Sequence, residues 1–540
     1  MSSIKKSGSP VAVPAATAPA PPPKPAMSAS PPRILIIGAG SRGQAYARAT
    51  ETSSNGVVTA VAEPIAYKRQ TFGRTYIWGT GTLEEGQQFA DWTEFVAYET
   101  RRRERAAAGE TVPPGVDAVF ICVLDEMHRD VVVGLAPLNL HVMCEKPLAT
   151  SLRDCLDMYE ALKPPAGQEP KNVFSIGHVL RYSPHNMLLR KLLLEERVIG
   201  DIINIVHTEP VGWWHFTHSY VRGNWRNEKT TAPSLLTKSC HDIDLLLWLL
   251  SAPVKAGGDT PHLPSTVSST GSLQLFRKSR KPAGAGTATN CLTCPLGDQG
   301  CKYSAKNIYL GAELKGLASG NTDWPVSIVL PEIEDFPTAA ERNKALASKL
   351  AEDYDESTPR DEVASRNWFG RCVFDADNNV CDDQTVTMTW NDVPSESGVP
   401  KQSKSATLHM IAHTKKICER YTHVYGVDGE IYADSRTITI ENFNTGATQS
   451  YHPTIEDAGH GGGDKGLARQ FILAVDRVKN HGWTAEKAQN EFIGCSLEEV
   501  IRSHAMVFAA EEARTSKKVV DWAQWWSSKV EGEGSVSERF

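Results

Sequence analysis

Four largely apolar runs mark the first third of the chain, at 34–37, 57–62, 116–124 and 141–144. Runs without polar alternation are the pattern of parallel strands buried on both faces. Alanine-rich sequence follows the first run, and a helical stretch carrying His128 and residues 131–135 follows the third. Strand alternating with helix predicts βαβ units and a parallel, doubly covered sheet. The first run ends in Gly38, Gly40 and Gly43, a G-x-G-x-x-G spacing that opens the first helix. Gly38 permits a tight turn, Gly40 lets the backbone approach a pyrophosphate, and Gly43 allows the helix to pack close to the strand. Ser41 and Arg42 lie inside this turn, where the helix N-terminus offers N–H groups to phosphate. Glu63 closes the second strand twenty residues after Gly43, placed to accept from adenosine ribose hydroxyls. The fourth run ends directly in Glu145, Lys146 and Pro147, so Glu145 and Lys146 point into the cofactor crevice at the carboxyl ends of the strands. A dinucleotide is thereby expected. Glu63 disfavours a 2′-phosphate and selects NAD, while Lys68 and Arg69 nearby leave NADP open.

Beyond this region the patterning changes. Residues 235–250, LLTKSCHDIDLLLWLL, read as a helix apolar almost all round and hence buried. Lys238, His241 and Asp244 recur every third residue and share one face near its start. A polar stripe on a buried helix must line a polar cavity or be paired internally. A core histidine salt-bridged to Asp244 is one reading, a site histidine the other. Residues 212–226 pack three tryptophans, two histidines and two arginines into fifteen positions. Aromatic faces with Arg222 and Arg226 suit a polyhydroxylated or acidic sugar, and an aromatic mini-core with surface arginines competes with that. In GHGGGD (459–464), His460 and Asp464 cap the following helix or line the same pocket. Residues 277–365 break the pattern with low hydrophobicity. They hold Cys291, Cys294 and Cys301, of which the first pair has C-x-x-C spacing. No adjacent residue supplies a fourth ligand for zinc, Cys372, Cys381 or a distant histidine being the candidates. Free or packing thiols are favoured, and no metal is assigned.

Composition narrows the class. With 540 residues, 41% hydrophobic and 22% charged, the chain has material for a large core and more than one domain. A net charge of −7 argues against nucleic acid as the main partner. The Arg101–Arg105 basic run reads as a solvated face. Residues 1–32 are Pro-, Ala- and Ser-rich and are expected to be disordered, without the features of a signal peptide or presequence. No apolar run reaches membrane-spanning length, and eleven scattered cysteines suit reduced thiols in the cytoplasm.

GAGSRG, VAEP, VDAVFICV and HVMCEKPLA together resemble the Gfo/Idh/MocA oxidoreductase family, with further likeness in FSIGHVLRYSP, ERVIGDIINIVH, YGVDGEIYAD and SLEEVIRSHAMVFAAEEAR. The resemblance implies a Rossmann dinucleotide-binding domain (33–181), then an α/β domain (182–530) with an open, mainly antiparallel sheet, interrupted at about 277–365. A short tail, 531–540, closes the chain. It also implies catalysis by Lys146 and His241 on a CH–OH group of a sugar, inositol or related polyol. From the residue patterns above, Arg222, Arg226, Lys238 and Asp244 are the expected substrate contacts. The family's sheet often forms a dimer interface, so a homo-oligomer is open. One departure stands out. An aspartate precedes the histidine by four residues in inositol-dehydrogenase-like members, and Thr237 occupies that place here. A redox-assisted, NAD-dependent glycosidase and a non-enzymatic dinucleotide sensor are the alternatives.

Overall fold

The computed structural model describes residues 16–17, 22–254, 260–394, 400–455 and 459–532. Two sheets organise the chain. After a two-residue strand β1 (Ala16–Thr17), six strands follow: β2 (Arg33–Ile37), β3 (Val57–Ala62), β4 (Gln88–Phe89), β5 (Ala118–Ile121), β6 (His141–Cys144) and β7 (Phe174–Ile176). They form a fully parallel sheet in the order β4-β3-β2-β5-β6-β7. Ile34, Leu35 and Ile36 in β2 and every residue of β5 are buried, as expected for strands covered on both faces. Strand order reverses between β2 and β5. The crevice above their carboxyl ends is where an open α/β sheet binds ligands, and the glycine turn sits there.

The second sheet takes β8 (Ile202–Pro210), β9 (Thr266–Ser272), β10 (Asp383–Trp390), β11 (Lys404–Ile411), β12 (Tyr421–Gly426), β13 (Gly429–Ala433), β14 (Ile438–Asn442), β15 (Thr448–His452) and β16 (Val520–Asp521). With β1 they make a ten-stranded sheet ordered β1-β15-β14-β13-β12-β8-β11-β10-β9-β16. All pairings are antiparallel except β8–β11 and β1–β15. The alternation of Val386, Met388 and Trp390, or Ala406, Leu408 and Met410, turns one face onto the core. The helix Ser234–Leu250 lies on that face with all its residues buried, and the helix Leu497–Ser516 packs against it. The chain then folds back on itself, since the helix Gly463–His481 packs against Ser41–Ser53 of the first domain.

Two expectations change. The segment 22–32 is ordered, because donors on the helix Gly463–His481 hold its carbonyls: Arg469 bonds Pro23, Lys479 bonds Pro31 and Asn480 bonds Ser30. Residues 16–17 pair with β15. The rest of the expected disordered tail, and 533–540, lie outside the described residues. The inserted region is also wider than 277–365, running from the end of β9 to the start of β10. Its short helices build a small core of their own around Ile308, Tyr309, Val326, Leu346 and Leu350, against Trp214. Among the described residues no helix is long and apolar enough to cross a membrane.

Candidate active site

The glycine turn shows a separate reason for each glycine. Gly38 has φ +94°, and a Cβ there would meet the Cys122 carbonyl oxygen at 2.5 Å. A Cβ on Gly43 would lie 2.1 Å from the Gly38 carbonyl oxygen, so helix and strand touch backbone to backbone. At Gly40 a Cβ would meet nothing within 4 Å. The chain itself does not need a glycine there, and the open space over an uncapped helix N-terminus fits a pyrophosphate. Glu63 is buried at the end of β3. Its carboxylate accepts from the Ala39 N–H at 2.8 Å and the Ile65 N–H at 2.9 Å, tying the strand end to the turn. Each oxygen keeps a lone pair for a ribose diol. Arg69 donates to the Glu63 backbone carbonyl.

Arg42 works as a clamp. Nε donates to Glu145 at 2.7 Å, while Nη1 and Nη2 hold Asp464 at 3.1 and 2.8 Å. The Tyr46 hydroxyl donates to the same Glu145 oxygen at 2.6 Å, and the Lys146 N–H to the other at 3.0 Å. Burial works to raise the Glu145 pKa, yet Arg42 and Tyr46 outweigh it and hold the carboxyl below its ordinary range. Asp464 is held down in the same way by Arg42 and His460. Arg42 and Glu145 therefore tie the turn and the end of β6 to the second domain.

Lys146 leaves the end of β6 half-buried and donates through Nζ to the Thr237 carbonyl at 2.7 Å, one turn before His241. Two domains meet at this bond. The Trp225 ring centroid lies 5.9 Å from Nζ, and Trp225 Nε1 donates to Asp125 at 2.7 Å. His241 is buried, and Arg420 Nη2 contacts its Nε2 at 2.9 Å. An arginine can only donate, so Nε2 is the acceptor and the imidazole is neutral. Burial, reinforced by Arg420, pushes its pKa well down. The carboxylates come from elsewhere than position 237. Asp242 receives Arg420 Nε at 2.5 Å and contacts His207 Nε2 at 3.1 Å. Glu209, at the end of β8, pairs with Lys238 at 3.1 Å and Arg420 at 2.9 Å. Lys238 also donates to Cys418 Sγ at 2.9 Å. Burial opposes the Lys238 charge, but Cys418 and Glu209 raise its pKa overall.

Three expected substrate contacts are placed elsewhere. Asp244 accepts both prongs of the Arg181 guanidinium, at 2.7 and 2.9 Å, with no solvent access, and is a core ion pair. Arg222 is buried and donates to the Arg371 carbonyl at 2.6 Å and the Tyr303 carbonyl at 2.8 Å. Arg226 holds Asp377 at 2.6 Å and Asn367 at 3.0 Å, together with the Val363 and Arg366 carbonyls. Both arginines anchor the inserted region instead of facing the crevice. Sequence reasoning missed Glu209 and Arg420. The available signal was HTEP at the end of β8, where His207 and Glu209 alternate onto the face that meets the polar helix stripe.

Residues 32–166 match the family model for the oxidoreductase family with an NAD-binding Rossmann fold, GFO_IDH_MocA. This stretch carries the NAD-binding Rossmann fold of that family's model. Over 151 residues the chain is 31% identical to the 2,7-anhydro-N-acetylneuraminate hydratase of Escherichia coli K12, spanning 27% of this chain and 38% of that protein. It is 30% identical over 140 residues to the inositol 2-dehydrogenase of Salmonella typhimurium LT2, spanning 26% of this chain and 37% of that one. The chain thus matches under two fifths of the length of these relatives. Across the whole fold it resembles a levoglucosan dehydrogenase solved with NADH and levoglucosan, at a TM-score of 0.54 and 14% identity, covering 91% of this chain and 99% of that one. At that identity the likeness concerns the fold alone: a Rossmann domain followed by a mainly antiparallel sheet.

Proposed function

We propose that this chain is an NAD(P)-dependent oxidoreductase acting on a CH–OH group of a sugar, inositol or related polyol. The observation that carries the reading is the Lys146–Thr237 bond, which brings the lysine at the end of β6 to the helix turn before His241, beneath an open glycine turn. A bound nicotinamide would supply the hydride acceptor. Lys146, cationic beside the carbinol oxygen, stabilises the developing oxyanion. His241, neutral through its buried setting, receives the hydroxyl proton. Protonation at Nε2 displaces the Arg420 hydrogen bond, and Asp242, 4.0 Å from Nε2, pairs with the imidazolium. The lysines, arginine and carboxylates of the site balance in charge and offer donors and acceptors on several sides, which suits a polyhydroxylated neutral substrate. The Glu63 carboxylate favours NAD, because a 2′-phosphate would be repelled there.

Two further features belong to this reading. The uncovered outer face of the second sheet forms a homo-oligomer contact, and the eleven unbridged cysteines support a cytoplasmic location. A redox-neutral glycosidase is the second reading, supported by Thr237 in place of the family's acid. The deciding experiment follows NADH absorbance and aglycone release with NAD and a panel of polyols, sugar acids and chromogenic glycosides. NADH formation on a free polyol, reduced roughly 10²–10³-fold in kcat by Lys146→Ala, is expected. Aglycone release without NADH would replace the dehydrogenase reading with the glycosidase. Tight NAD binding with no turnover in either channel would favour a sensor.

A further inference from the structure

The inserted region gathers cysteines that the sequence keeps far apart. Cys291, Cys294, Cys301 and Cys372 line a single small cavity, together with Arg222, Tyr303 and Phe374. Backbone pairing brings them there. Asn290 and Arg371 form an antiparallel bridge. The Cys291 N–H donates to the Gly370 carbonyl at 2.8 Å, and the Cys372 N–H to the Thr289 carbonyl at 2.7 Å, so these two thiols come from paired antiparallel segments. Cys294 and Cys301 come from the loop between them, each followed by a turn: the Gly297 N–H bonds the Cys294 carbonyl at 3.1 Å and the Ser304 N–H the Cys301 carbonyl at 3.0 Å. Cys372 supplies the fourth position that C-x-x-C and Cys301 lack in sequence. Cys381, the other candidate in sequence, is not part of this lining.

We propose that these four cysteines form a structural zinc site. The cavity, about 20 Å³, holds one water-sized body, which suits a single ion and is too small for an iron–sulfur cluster. A four-thiolate set selects zinc. A second observation points the same way. Arg222, with 1% of its surface exposed, lines the cavity, donates through Nη2 to Cys291 Sγ at 3.3 Å, and leaves Nη1 buried with no partner. A buried guanidinium directed at sulfur is matched by thiolate, and a Zn(Cys)4 centre carries two net negative charges for it to meet. Among the described residues no three potential ligands yet stand at ligating spacing. Ligation therefore requires side-chain rotation, and a staggered χ1 change moves a cysteine sulfur by about 3 Å. Binding is balanced by loss of one proton from each thiol, up to four in all. The inserted region has the usual reason to need such a staple, because its own core is small and its helices are short.

The test uses the full chain purified under reducing conditions without added chelator, with zinc measured by mass spectrometry. About one zinc per chain is expected, retained on gel filtration. Cys294→Ser and Cys372→Ser should each reduce it at least tenfold, and Cys381→Ser should leave it in place. Cobalt exchanged into the wild-type chain should give the intense sulfur-to-metal absorption and tetrahedral visible bands of four thiolates. This readout does not depend on whether a variant folds. Thiol titration of the native chain should gain four reactive groups on addition of a strong chelator. No bound metal after reconstitution of the reduced chain with zinc would overturn the proposal. So would zinc content unaffected by Cys294→Ser and Cys372→Ser, or a cobalt spectrum without sulfur ligation.

Discussion

At the residue scale, the polar stripe Lys238–His241–Asp244 shows what spacing can and cannot resolve. Helical periodicity put the three on one face, and all three are polar and buried as expected. Their partners arrive from positions 63, 29 and 179 residues away in sequence: Arg181 for Asp244, Glu209 for Lys238, Arg420 for His241. No local pattern encodes those distances, so the stripe alone could not separate the core ion pair from the site. Asp244→Asn tests the separation. It strips the buried Arg181 of its bidentate carboxylate and leaves it Glu499 at 3.3 Å, and removal of one partner from a buried pair costs up to about 3–5 kcal/mol. Equilibrium denaturation should show that loss, with NAD affinity of the folded chain unchanged. A selective fall in kcat at unchanged stability would return Asp244 to the substrate site. Lys146 was legible for a different reason, because a strand end followed by Pro147 fixes both its position and its direction.

At the scale of the element, the βαβ unit was legible almost entirely, since continuous apolar strands and glycine spacing are local signals and the observed bounds follow them. The inserted region was not. Its order comes from Arg222 and Arg226 reaching back over more than a hundred residues to carbonyls and side chains that no periodicity marks. The glycine turn allows its structural and ligand-binding parts to be tested apart. In Gly43→Ala the new Cβ collides with the Gly38 carbonyl, so helix and strand must separate. The expected outcome is loss of stability by roughly 1–3 kcal/mol from overpacking together with loss of dinucleotide binding. Gly40 already has φ −76°, and a Cβ there meets only open space. Gly40→Ala should therefore melt at the wild-type temperature while NADH binding, followed by fluorescence, weakens at least about tenfold. Unchanged NADH affinity in Gly40→Ala would separate this turn from the pyrophosphate.

At the scale of the whole molecule, buried histidines set the response to acid. Burial lowers the pKa of His178 and His141 to about 4, and that of His504 to about 3, against an ordinary value of 6.5. The folded chain keeps them neutral while the unfolded chain protonates them. Their contribution is complete above pH 6.5 and declines as pH falls from there to about 4, with that of His504 declining further to about 3. His178 alone accounts for about 3 kcal/mol across that window. Melting temperature should thus fall steeply between neutrality and about pH 5, and His178→Asn should flatten the slope. A pH-independent melt over that range would contradict the buried neutral state.

The second sheet raises a question of assembly. Its inner face is covered by the helix Ser234–Leu250, and its outer face carries Val206 on β8, Tyr421 and Tyr425 on β12, and Tyr432 on β13, between 39% and 46% exposed. The His423 ring lies against Tyr425 and Tyr432, at 3.8 and 4.0 Å between centroids, and its Nε2 meets Glu430 at 2.7 Å. These side chains form one aromatic patch on adjacent strands, held in fixed orientation by one another. Contiguous exposed apolar area of this kind marks an interaction surface, and rigid tyrosines lose little entropy when buried. A two-fold contact would place the same patch on both sides and bury it against itself. Sedimentation equilibrium of the wild-type chain should give at least twice the chain mass. Val206→Asp combined with Tyr432→Asp should return it to a single chain, because charges opposed across a two-fold axis repel. These positions face away from Lys146 and His241, so turnover per chain should persist in the monomer. A wild-type chain that sediments as a monomer at micromolar concentration would overturn the interface, and the patch would then be a surface feature of the sheet alone.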